Sequence, residues 1–145
     1  MRGFKTTSVR EVILTRQAEE GEVKLSFFLQ ALPLGYHELL AAVYPVKVTE
    51  YVNGKPVTSP ADQAAHDAMV GYLLLAKSLR DADPAQIETP EPGVGATRDA
   101  WHAYALAVQA EFVAANLVVG DIQALAKGLQ LANLGAGRPK KGAGA

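Results

Sequence analysis

"SPADQAAHDAMVGYLLLAKSLR", residues 59 to 80, is the longest run of the chain with a single helical period. Ser59 stands where an N-cap belongs, Pro60 takes the first helical position, and Asp62, three residues after the cap, makes a carboxylate variant of the capping box. A helix from there to about Arg80 places Ala65, Met69, Tyr72, Ala76 and Leu79 on one stripe, which Leu73, Leu74 and Leu75 widen. This helix is expected to form the centre of the core. Its first turns raise a chemical question, because Asp62 and His66 lie about 40° apart on the wheel while Asp67 points roughly 100° away from His66. Two ligands do not make a metal site, which needs three or four, and Asp62 is already used at the helix start. The expectation is a capped, solvated helix face and no metal.

Upstream, "EVKLSFFLQ" (22–30) alternates, with Val23, Leu25, Phe27 and Leu29 on one face and Lys24, Ser26 and Gln30 on the other. Phe28 alone breaks the polar face. "SVREVILT" (8–15) is rich in β-branched residues, and the polar "RQAEEG" between the two runs ends in Gly21, so the pair reads as an antiparallel hairpin. "PLGYHELLAAVYP" (33–45) places Leu39, Leu40, Val43 and Tyr44 at the spacing of a short helix that Pro45 stops. In "VKVTEYVNGKPVT" Val46 and Val48 alternate, Asn53-Gly54 signals a hairpin turn, and Pro56 limits the second arm to an edge.

Downstream, "DADPAQIETPEPGVGA" (81–96) holds four acidic residues, no basic ones, three prolines and two glycines, a composition that favours extended, solvated chain between helices. Thr97 then caps "RDAWHAYALAVQAEFVAANL", Gly120 is expected to end that helix, and Asp121 to cap a last one carrying Ile122, Leu125, Leu129 and Ala132. The fold class is therefore α+β and mostly helical: an N-terminal antiparallel hairpin, a short helix and about three longer ones, one domain over 1–134. Residues 135–145, with Arg138, Lys140 and Lys141 among glycines, read as a flexible basic tail.

The 14 basic and 15 acidic residues balance, so no net field draws the chain to nucleic acid or an anionic surface. Without cysteine there is no disulfide or thiolate site, no stretch reaches the roughly 18 apolar residues of a membrane span, and the N-terminus lacks a signal-peptide core. His37 and His102 have Glu38 and Asp99 nearby, but neighbouring helical residues make no relay. Ser8, Ser26, Ser59 and Ser78 stand in strand, cap or helix positions, and "GVGATRD" has too few glycines for a phosphate loop. Neither catalysis nor a cofactor is expected. Three basic residues in the tail, without aromatic interleaving, make nucleic-acid binding a weak reading.

The residues 97–117 carry the more informative anomaly. Trp101, Tyr104, Ala105, Val108, Phe112 and Ala115 form one apolar face; Leu106, Val113 and Leu117 form a second, nearly opposite. Two readings stand: neighbouring helices sandwich this helix, or the second face receives a partner or another copy. A further place to seek a partner surface is the strand pair around Phe28.

The order of features resembles the tail assembly chaperones of long-tailed bacteriophages. The likeness runs over most of residues 9–134. It begins with "VREVILTRQAEEGEVKLSFFLQALPLGYHELLAAVYP" and the Gly-Lys stretch "VNGKPV", and goes on through the helix start "SPADQAAHDAMVGYLLLAKSLR" and the acidic loop "IETPEPGVGATRDAWHAYA" to the final "LVVGDIQALAKGLQLAN". The resemblance implies a factor of the host bacterial cytoplasm that binds the tape measure protein, shields its apolar faces and is displaced as tail tube subunits polymerise, so that it is absent from the virion. It also implies a longer form made by ribosomal frameshifting that recruits the tail tube protein, with Lys140-Lys141 as a place for the slip. A structural tail or head-to-tail joining protein would share the size and the lack of chemistry. A small DNA-binding regulator would need a recognition helix, for which the last helix offers Gln123, Lys127 and Gln130.

Overall fold

The computed structural model describes residues 9–135. The expected tail therefore lies, from residue 136 onward, outside the described residues. In chain order the elements are β1 (Val9–Ala18), β2 (Gly21–Gln30), α1 (Leu34–Val43), β3 (Glu50–Val52), β4 (Lys55–Val57), α2 (Pro60–Ala82), a single 3-10 turn (Pro84–Gln86), α3 (Arg98–Ala114) and α4 (Val119–Asn133). The class is α+β and mostly helical, an N-terminal hairpin followed by four helices, as the periodicities require.

β1 and β2 pair antiparallel from Val9 opposite Gln30 to Ala18 opposite Gly21. The strands run further than the sequence suggests. Arg16, Gln17 and Ala18 belong to β1, and only Glu19 and Glu20 connect the arms, with Gly21 at φ 119°, where a side chain would be strained. β3 and β4 form a separate small hairpin whose turn is Asn53 (φ 53°) and Gly54 (φ 76°), the positive angles that Asn-Gly was read for. Val46 and Val48 precede it outside any strand.

The core gathers where β2, α3 and α4 meet α2. Ser59 caps α2 as expected, its hydroxyl accepting from the Asp62 N–H at 3.1 Å. The buried set differs from the expected stripe. Leu73, Leu75, Ala76, Ser78 and Leu79 are buried, Met69 and Tyr72 are half-buried, and Ala65 is exposed. The second half of α2 is enclosed on several sides while its first half extends past its neighbours, so one stripe along the whole helix could not describe both. Ser78 is tolerated in the core because its hydroxyl donates to the Gln30 carbonyl at 2.8 Å.

α1 buries Tyr36 and Leu40, and Tyr44 at its C-cap is buried too, whereas Leu39 is exposed and Val43 half-buried. The ten-residue helix is rotated toward Tyr36 and the Tyr44 that follows it, which bring more apolar area to the core than Leu39. On α3 the expected face Trp101, Tyr104, Ala105, Val108 and Phe112 is buried. Ala115 is exposed, because the helix ends at Ala114 and Asn116 turns the chain in the left-handed region at φ 62°. Gly120 therefore does not end α3; it lies in the first turn of α4. Asp121 is not the cap but the third residue of α4, its carboxylate accepting from the Val118 N–H at 2.8 Å. Arg16 of β1 pairs with Asp121 and donates to the Asn116 carbonyl at 2.7 Å, which ties the hairpin to the α3–α4 turn. Gly128 lets α4 approach the sheet: a Cβ there would sit 2.5 Å from Val12 Cγ2 and 2.9 Å from Leu29 Cδ1.

Residues 83–96 connect α2 to α3 as an extended and largely exposed stretch, as expected, but they are pinned at Ile87 to Thr89. Ile87 is buried in the core, Glu111 accepts from the N–H groups of Glu88 and Thr89 at 2.9 and 2.8 Å and from the Thr89 hydroxyl, and Arg80 donates to the Thr89 carbonyl. The composition keeps most of the stretch in solvent, and one aliphatic side chain and two charged anchors on neighbouring helices fix its middle.

Candidate functional site

The second face of α3 is left uncovered. Leu106 is 45 % and Val113 67 % exposed, and Ala103 and Ala110 between and beside them are exposed as well. Positions 103, 106, 110 and 113 follow a three-four-three spacing, the seam on which a second helix seats its side chains. The internal-sandwich reading is thus overturned for Leu106 and Val113. Leu117 departs from the group. It lies past the end of α3, is half-buried against the core, and with Leu14, Arg16, Val23 and Leu25 lines a small cavity of about 60 Å³ under the hairpin. Phe28 stands on the outer face of β2 at 40 % exposure, near Ile13, which is 54 % exposed on β1, and shares no element with the α3 stripe.

A groove that sequence reasoning missed runs between α2 and α4. It measures about 520 Å³ and is lined by Gly71, Tyr72, Leu74, Ile122, Ala126 and Leu134 among others, with Gln130 and Asn133 as its polar groups. The signal was present in the width of the "LLL" stripe: three successive leucines cannot all face one core, and Leu74 turns toward this groove.

A third concavity, about 500 Å³, surrounds Tyr44. His66 stacks on the Tyr44 ring at 5.0 Å between centroids, and its Nε2 must donate to the Tyr44 carbonyl, 3.0 Å away, because a carbonyl only accepts. His102 flanks the same ring at 5.9 Å, its Nδ1 lying 2.8 Å from the Tyr44 hydroxyl, and the Arg98 guanidinium sits 4.5 Å from the ring centroid. Burial pushes the Tyr44 hydroxyl above its ordinary pKa, with Arg98 opposing. His66 is therefore not on a solvated face paired with Asp62. It serves the α1–α2 contact, and its Nδ1 lies 3.6 Å from Asp67. Among the described residues no three His, Asp or Glu side chains are placed to hold a metal ion.

Elsewhere the perturbed groups have packing duties. Burial raises the Tyr36 and Tyr104 hydroxyls; Glu91 adds to the first, and Arg80 opposes the second. Burial would raise Glu111, but the hydrogen bonds from Thr89 and Glu88, with Arg80 nearby, outweigh it and hold the carboxyl below its usual range. No single described helix is long and apolar enough to cross a membrane; α3 and α4 carry that length only jointly, across a bend of 118°.

Comparison of the chain with protein-family models, with curated proteins and with solved structures finds no match.

Proposed function

We propose that this chain is a tail assembly chaperone of a long-tailed bacteriophage, which binds the helical tape measure protein through α3 and keeps its apolar faces from aggregating until tail tube subunits enclose them. The observation that carries the reading is the exposed seam Ala103, Leu106, Ala110 and Val113. A long helical client presents the same kind of apolar stripe, and a helix lying along α3 buries both. The opposite face of α3 holds the core through Trp101, Val108 and Phe112, so the seam sits on a rigid support and needs no rearrangement to receive the client. Recruitment of the tail tube protein belongs, in this reading, to a longer form of the chain, and the site of action is the host bacterial cytoplasm. No catalytic group, cofactor, membrane or nucleic acid is required. Co-expression with the long coiled-coil protein of the same genome tests it: the two should co-purify, and this chain should be absent from finished particles. Recovery of the chain in purified particles would favour a structural tail or joining protein.

A further inference from the structure

The outer edge of β2 is occupied at one end and open at the other. The Gln30 carbonyl accepts from Ser78, and the Phe28 N–H and C=O are both held by the Gln86 side-chain amide, at 2.9 and 2.8 Å. These groups face away from β1. Backbone groups two residues apart on a strand point the same way, so those of Ser26, Lys24 and Glu22 face outward too. Among the described residues none of them has a partner, and residues 21–26 are exposed throughout. Val23 and Leu25, on the face turned toward the helices, remain 48 % and 43 % exposed.

An open strand edge accepts another strand, and the side chains along this one select which. We infer that the edge pairs with itself, two copies joining β2 to β2 antiparallel about a two-fold axis at Val23, to make one four-stranded sheet. Every register centred on a residue sets outward-facing groups opposite one another; centring on Glu22 opposes two carboxylates, and centring on Ser26 sets Lys24 against Phe28, whose backbone groups are taken. Centring on Lys24 opposes two ammonium groups. Centring on Leu25 sets Glu22 against Phe28, whose backbone groups Gln86 already holds. Centring on Val23 sets Glu22 opposite Lys24 of the second copy, twice by symmetry, and Val23 against its own image. The intrastrand contact of Lys24 with Glu22, 3.7 Å apart and exposed, yields to these cross-strand pairs at little cost. Gln86 acts as the stop that keeps the pairing near the hairpin tip. The contact is small, so the dimer is reversible and depends on concentration.

Sedimentation of the full chain over a concentration series, with amide exchange followed by NMR, tests this. The dimer should form as concentration rises, and the Glu22 and Lys24 amides should become protected in step with it. Lys24→Glu and Glu22→Lys should each weaken the dimer about tenfold, and the double variant, which restores opposite charges, should return to within about threefold of the natural chain. A chain that stays monomeric, a dimer indifferent to the single charge changes, or amides at 22 and 24 insensitive to concentration would each overturn the inference.

Discussion

The side chain of Gln86 does for Phe28 what a neighbouring strand would do, accepting from its N–H at 2.9 Å and donating to its carbonyl at 2.8 Å. The same Nε2 also donates to the Leu79 carbonyl, near the end of α2, at 2.8 Å. One amide thus joins the sheet edge, the 3-10 turn and the longest helix. Gln86→Ala should lower stability by about 1–3 kcal/mol, since it leaves the Phe28 N–H and carbonyl without their partner, while the Leu79 carbonyl keeps the Asp83 N–H at 3.0 Å. Gln86→Glu should cost more than Ala at neutral pH, because an acceptor then faces two carbonyls. Urea unfolding of the three chains checks the order.

Glu111 makes stability depend on acid. Its folded pKa lies below the ordinary 4.5 because three hydrogen bonds and Arg80 outweigh burial. A depressed carboxyl contributes stability that is fully present above pH 4.5 and is lost as pH falls below it through the folded value. Melting temperature should therefore drop below that pH. Glu111→Gln should melt lower at pH 7 and show a shallower fall in acid, so that the two curves converge.

Gly128 is needed for the approach of α4 to the hairpin. Alanine in a helix interior ordinarily adds about 1 kcal/mol over glycine. Here the new methyl meets Val12 Cγ2 at 2.5 Å and Leu29 Cδ1 at 2.9 Å, so Gly128→Ala should instead destabilise by about 1–3 kcal/mol. Pairing it with Val12→Ala, which removes the nearer obstacle, should recover part of that loss in a double-mutant cycle.

At the start of α2, Ser59→Ala should cost about 1 kcal/mol through the lost cap to Asp62. His66→Ala should cost a similar 1–2 kcal/mol, by order of magnitude, since it removes the stack on Tyr44 and the bond to its carbonyl. Thermal melts of both variants, with the natural chain as reference, check these values, and added Zn²⁺ should leave all three unchanged.

The elements that were legible in the sequence are those whose signals are local. Ser59 and Thr97 accept from Asp62 and Ala100 as N-caps because the capping bond spans three residues. Asn53-Gly54 makes the expected turn because positive φ is favoured by those residues. The misread places depend on partners distant in the chain. Ile87 and Glu111 turn an acidic, proline-rich stretch into a strap, and Tyr36 displaces Leu39 from the core. Arg16, which read as part of a polar connection, reaches 100 residues along the chain to Asn116. Of the second apolar face, Leu106 and Val113 are exposed as their positions on the wheel require, because they share α3 with the core face and lie off it. Leu117 leaves that face, because the left-handed Asn116 bends the chain just before it.

The central claim is that α3 separates folding from binding. Phe112→Ala, on the buried face, should destabilise the protein by about 3–5 kcal/mol. Leu106→Lys and Val113→Lys, on exposed positions, should melt within about 0.5 kcal/mol of the natural chain. The decisive measurement is the affinity of those two lysine variants for the purified tape measure protein. Both should stay folded and bind at least about tenfold more weakly, because each strands an ammonium group in an apolar seam. Lysine variants that bind as tightly as the natural chain would contradict it.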